Sequence, residues 1–305
     1  MAFHNHHHLS SLLLAIVFLL QLPLTTGTPV PGPLAARHHG KSTTNPLTRL
    51  ALPSSSLPSP ASNLTLYAVT LGLGTQNYSC VDLSSSDEPT AVGAVASLYD
   101  ISAVLENALM GATMEMALPG LALGVWGLLG GDGDGDGDGE WRKKRGVGFG
   151  DKERERDRAW EHVASNLPTY SGSSGGTSSS SSASIKLLQP MGHHFFSAAG
   201  VPSWALTLPS ASSSVLFQGA KSATASAPTD ASKGLVGEAA VAWLYLTRTA
   251  GEIADAVVDD DAGTGGVEAV YRVVTAGGSA PDTCEGWEGQ DREVAYAAEY
   301  WFYGR

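Results

Sequence analysis

Apolar and aromatic residues fill two runs near the C-terminus, 267–275 and 294–303, on either side of a Gly/Pro-rich connection that carries Cys284. That pattern predicts two antiparallel strands around a turn. Similar runs predict strands at 185–188, 194–196, 203–208, 215–222 and 240–249. Upstream, 64–69 has strand composition, Gly72-Leu73-Gly74 interrupts it, and 76–80 resumes it. The run 91–101 has little 3.6-residue periodicity and reads as a strand ending at Asp100, with a helix as the alternative. Residues 104–118 read as a short amphipathic helix. Short strands separated by turn signals indicate an all-β fold, an antiparallel β-sandwich or small β-barrel with at most one or two short helices.

Elsewhere the pattern fails in an informative way. An apolar run, Leu12 to Leu20, is followed by Thr25-Thr26-Gly27, which predicts a signal peptide over 1–27. Residues 28–63 are rich in Pro, Ser and Thr, the composition of a flexible arm. A DG repeat, a mixed charge block and a Ser/Gly tract make 130–184 a low-complexity insertion. The folded part of 64–305 is roughly 170 residues, enough for one domain with one core. No segment is a transmembrane helix by length.

Charge and cysteines narrow the classes. A net charge of −12 argues against nucleic acid as a partner. Cys80 and Cys284 are the only cysteines, so one intramolecular disulfide is expected in an oxidising compartment. Asn63-Leu64-Thr65 and Asn77-Tyr78-Ser79 are N-glycosylation sequons at Asn63 and Asn77, in keeping with a secreted, extracellular or cell-wall location.

Few residues suggest chemistry. The alternating carboxylates Asp132, Asp134 and Asp136 resemble the start of a calcium loop, but position 12 is Lys143 or Arg145 instead of Glu, so no metal is expected. The match to G-x-S-x-G at 172–176 lies in a serine tract and reads as linker. His193 or His194, paired with Asp100 or Glu299, is the candidate acid/base couple. Trp204, Trp243, Trp301 and Tyr303 are the candidate ligand-binding aromatics, through either core packing or sugar stacking. The basic run ending at Lys144-Arg145 resembles a convertase site within an exposed loop.

The order and spacing of GTQNYSC (74–80), AVASLYD (94–100), GHHFF (192–196), VPSW (201–204), VAWLYL (241–246), VYRVVTAGG (270–278) and YAAEYWFY (296–303) resemble a secreted fungal and bacterial family known as domain of unknown function 3455. The resemblance covers 64–101 and 185–303 and implies an extracellular β-domain with an oxidised cysteine pair and no established activity. Fungal members often carry the label malate dehydrogenase. A dinucleotide site needs G-x-G-x-x-G between strand and helix. Here Gly72-Leu73-Gly74-Thr75-Gln76-Asn77 lacks the third Gly and runs into a strand, so neither that activity nor a cofactor is expected. The expected function is non-catalytic binding of a cell-wall polysaccharide or a small apolar ligand. The alternatives are a hydrolase built on His193 or His194, and a structural or host-interaction protein. Oligomeric state is open.

Overall fold

In a computed structural model, residues 46–107, 111–129, 170–171, 184–185, 188–207, 214–249 and 266–305 are described. The leader, residues 28–45 of the arm, and Lys144 and Arg145 lie outside them. Strand β1 (Thr65–Ser79) pairs with β2 (Thr90–Asp100), and a two-strand ladder, β3 (Tyr170–Ser171) with β4 (Ser184–Ile185), follows. Then come β5 (Gln189–Phe196), β6 (Pro202–Thr207), β7 (Ser214–Ala225), β8 (Trp243–Arg248), β9 (Val267–Gly277) and β10 (Asp291–Gly304). Eight of these close an antiparallel barrel in the order β1-β10-β9-β8-β7-β6-β5-β2. Every neighbour in the wall is a sequence neighbour once the excursion between β2 and β5 is set aside, and β1 meets β10 to close it. Of the two expected architectures, the barrel is the one formed.

Strand residues alternate between the two faces of the wall. One cluster of buried residues contains Leu98, Leu206, Phe217, Leu246, Val270 and Phe302 and faces the barrel interior. A second contains Val69, Leu71, Tyr99, Tyr271, Val273 and Trp301 together with Leu118, Leu123 and Trp126 of the long helix Gly111–Leu129, and so lies on the outside. The helix packs over β9, β10 and β1. These three strands are therefore dry on both faces, which is why they read as near-continuous apolar runs.

The structure changes several boundaries. Gly72 and Gly74 do not break β1, because they are there to permit close approach. A Cβ on Gly72 would lie 2.6 Å from the Tyr300 ring, and one on Gly74 would lie 1.9 Å from the Val95 carbonyl oxygen. The run 91–101 is a strand, as favoured. The helix is longer and later than 104–118: a single turn, Ser102–Leu105, precedes the 19-residue helix Gly111–Leu129, which continues through Pro119. Residues 46–63, expected as arm, pack against the barrel. Pro46–Arg49 is a 3₁₀ turn, Leu47 and Leu57 join the outer cluster, and the Tyr271 hydroxyl donates to Pro58 O at 3.0 Å. The leucines among the prolines find there the apolar surface that a free arm lacks.

Cys80 and Cys284 form a disulfide that ties the end of β1 to the β9–β10 connection. Two glycines test the packing argument. Gly74→Ala is expected to lose at least about 2 kcal/mol in urea denaturation, by overpacking against backbone. Gly124→Ala, on an open helix position with nothing within 4 Å, is expected to gain about 0.5–1 kcal/mol. Equal effects of the two would contradict the register of β1 against β2.

Candidate functional site

The inner wall of the barrel is layered. Phe217, Leu246, Val270 and Phe302 make an apolar level. A polar level lies towards the end held by Cys80–Cys284 and is built from Gln76, His194, Arg272, Tyr296 and Tyr300. Register explains the grouping. Arg272 of β9 stands directly between Tyr300 of β10 and Leu244 of β8, and directly opposed residues share a face.

The Tyr296 and Tyr300 hydroxyls are 2.8 Å apart and hydrogen-bonded. Gln76 stands against the Tyr296 hydroxyl and the Arg272 guanidinium against that of Tyr300. Burial raises both phenols above their ordinary value, most strongly Tyr296, while the nearby Arg272 charge works in the opposite direction. Both remain neutral at any physiological pH. The Arg272 Nη2 donates to Ala242 O at 2.9 Å.

His194 faces the same interior. Its ring stacks on Trp204 at 4.3 Å, tilts against Tyr300 at 5.6 Å, and its Nδ1 lies 2.9 Å from Ser203 O. A carbonyl only accepts, so Nδ1 carries the proton. Burial drives the imidazole pKa down to about 3; the Ser203 bond resists this and Arg272 adds to it. His194 is a neutral imidazole with its tautomer fixed.

Two nitrogens on this inner wall are buried without an acceptor, namely Arg272 Nε and Trp204 Nε1, while the Gln76 amide faces the Tyr296 hydroxyl. Buried donors are normally satisfied, so their concentration in one layer calls for a partner. Sequence reasoning missed Arg272 and Gln76. The signal for Arg272 was present, since it is the single charge inside the apolar run 269–278, and a charge inside a strand that is buried on both faces must face something polar.

The acid/base couple does not assemble. His193 is exposed on the outer side of β5. Glu299 neighbours Tyr300 and therefore points away from His194, to the outside of the wall. It is fully buried under the long helix, with Oε2 accepting the Trp301 Nε1–H at 2.9 Å and Oε1 unpartnered. Asp100 lies four residues along β2 from Ala96, the partner of His194, which is roughly 13 Å of strand. Its Oδ1 accepts the Ser102 N–H at 2.9 Å, steadying the exit from β2.

Nor do the four aromatic candidates form a surface. Trp204 is inside the barrel at 1% exposure. Trp243, Trp301 and Tyr303 are buried in the outer cluster, at 2%, 1% and 7%. Trp243 lines a small cavity of about 80 Å³ with Met116, Asp230, Ser232 and Thr275, and its Nε1 has no acceptor. Asn63 is exposed, and Asn77 is half-buried and accepts the Thr75 hydroxyl. Among the described residues no three His, Cys, Asp or Glu side chains gather at metal-binding distance, and no helix is long and apolar enough to cross a membrane.

An eight-stranded meander barrel with a stapled end and a polar inner level defines the class. Residues 60–304 match the family described as protein of unknown function (DUF3455), and the chain belongs to it. No curated protein and no solved structure matches the chain.

Two buried groups set opposite pH limits. Burial holds Glu299 well above its ordinary value, with Glu115 on the helix adding repulsion and Trp301 opposing. The native state keeps a proton that the unfolded chain releases, so stability falls as pH rises past the ordinary carboxylate range. Glu299→Gln is expected to stabilise the fold at about pH 8 by at least about 1 kcal/mol, and far less at about pH 4. For His194 the native state refuses a proton that the unfolded chain accepts below its ordinary 6.5. Stability is then lost as pH falls towards 3, by up to about 1.4 kcal/mol per unit. His194→Asn is expected to flatten that acid limb. Urea denaturation from acid to mildly alkaline pH checks both, and parallel curves for wild type and variants would refute both assignments.

Proposed function

We propose that the protein is an extracellular, non-catalytic binding protein that holds one small ligand, apolar in body with a hydrogen-bond acceptor at its head, inside the barrel. The carrying observation is the indole N–H of Trp204, buried at 1% exposure on the inner wall without an acceptor, directly across the ladder from Phe217, which offers none. An eight-stranded barrel is wide enough to be filled by side chains or to take one small ligand. The unmet donor favours the second, because leaving it unpaired costs about 1–3 kcal/mol.

Among the two ligands expected from sequence, the small one fits better than polysaccharide, since the four aromatic candidates are buried and give sugar rings no platform. Catalysis is disfavoured because His194 stands apart from both Asp100 and Glu299. The Cys80–Cys284 bridge, the leader-like N-terminus and the exposed sequon at Asn63 support an extracellular setting.

Calorimetric titration with linear alcohols from ethanol to decanol tests the reading. Saturable one-to-one binding with an optimum chain length is expected, and Trp204→Phe should weaken it about fivefold through loss of one hydrogen bond. Absence of binding at every length, or retention on insoluble chitin or β-glucan instead, would overturn it.

A further inference from the structure

Arg272 raises a question of charge that the binding reading leaves open. Arg272 is 8% exposed, and a buried cation is normally paired. Among the described residues no carboxylate lies within 4.0 Å of it. The groups around it are neutral: the Tyr296 and Tyr300 phenols held protonated, the His194 imidazole held uncharged, and Tyr78, whose hydroxyl donates to Gly278 O. Nη2 is engaged by Ala242 O, the guanidinium also meets the Tyr300 hydroxyl, and Nε has no partner.

The two acids nearest in the ladder are committed elsewhere. Glu299 is one residue from Tyr300, the cross-strand partner of Arg272, but the pleat turns it to the outer face under the helix. Asp100 is held by the Ser102 N–H at the far end of β2. The inner level therefore carries a positive charge with no carboxylate of the described residues beside it, and N–H groups without acceptors on Arg272 and Trp204. Donors in excess together with a cation describe the complement of an anion.

We infer that Arg272 is the anchor of an organic-monoanion site, and that the ligand of the barrel carries a carboxylate head held by the Arg272 guanidinium with the Trp204 indole N–H beside it. This rests on the reading of the barrel interior as a ligand site and specifies the head group. The apolar level of Phe217, Leu246, Val270 and Phe302 takes the body. Aromatic rings already occupy the space over Gly72 and Gly219, which limits the body to a small one. No bond is made or broken, and the carboxylate enters ionised and leaves ionised.

The test compares alkanoates from acetate to decanoate with the alcohols of equal length, by calorimetry on the full chain at neutral pH. Wild type is expected to bind each acid at least about tenfold more tightly than its alcohol, as a charge-assisted pair in a dry site requires. Arg272→Met should erase that preference while leaving the alcohol constants within about threefold. Arg272→Lys should keep the preference at lower affinity, because the charge stays and the Nε donor goes. A merely structural arginine would change stability in both variants without changing the acid-to-alcohol ratio. If wild type binds alcohols and acids equally, the anion site is wrong and the barrel reading stands. If it binds neither at any length, both fall. The wild-type comparison decides even where Arg272→Met does not fold.

Discussion

The β1–β10 ladder is the contact on which the rest of the molecule depends. It joins the first and last strands of the domain in an antiparallel ladder, from Thr65 opposite Gly304 to Ser79 opposite Asp291, with one register shift between Leu66 and Ala68. Without it the sheet has two open edges and no interior. Such a contact spans almost the whole domain in sequence, so its loop-closure cost must be met before any of its hydrogen bonds form. The disulfide lies one residue beyond the last pair, where Cys80 N also donates to Gln290 O at 2.9 Å and Gly289 N to Cys80 O at 3.0 Å. The covalent bridge thus continues the ladder, and by the chain-entropy account a loop of this size contributes up to about 5 kcal/mol.

Closure has an electrostatic consequence. Glu299 and Arg272 sit one ladder position apart, Glu299 opposite Val273 and Tyr300 opposite Arg272, and would form an ion pair on a common face. The two-residue repeat sends them to opposite sides of the wall. The acid ends under the helix and is held neutral by burial, and the base ends inside the barrel. A sequence selected for stability alone would replace both with apolar residues. Departures from local consistency concentrate where a protein has something to do, and here the departure is a buried cation with no carboxylate beside it among the described residues.

How much of this was legible in the sequence follows from the range of each signal. Strand composition is local, and the strands at 203–208, 267–275 and 294–303 appear close to where it put them. Gly72 and Gly74 misled because a glycine demanded by a ring or carbonyl on another strand looks the same as one demanded by a turn. Leu47 and Leu57 looked like arm residues because their packing surface lies more than two hundred residues away, around Tyr271. Among the site candidates, aromatic content picked out Trp204 but could not separate it from Trp243 and Trp301. Which face a tryptophan takes depends on register, and register is set by closure.

The same dependence bears on the proposed choice of binding over catalysis. An acid/base catalyst needs a group that can change protonation near working pH, with a partner to stabilise the change. His194 has neither, since its proton is committed to the Ser203 carbonyl, its pKa lies near 3, and Arg272 makes a second positive charge unwelcome. What the neutral imidazole does provide is a flat, uncharged surface stacked on Trp204, which fixes the indole whose N–H lacks an acceptor. Rigid rings that hold unmet donors around a fixed charge lose little freedom when a ligand arrives, and that preorganisation is what a binding site requires.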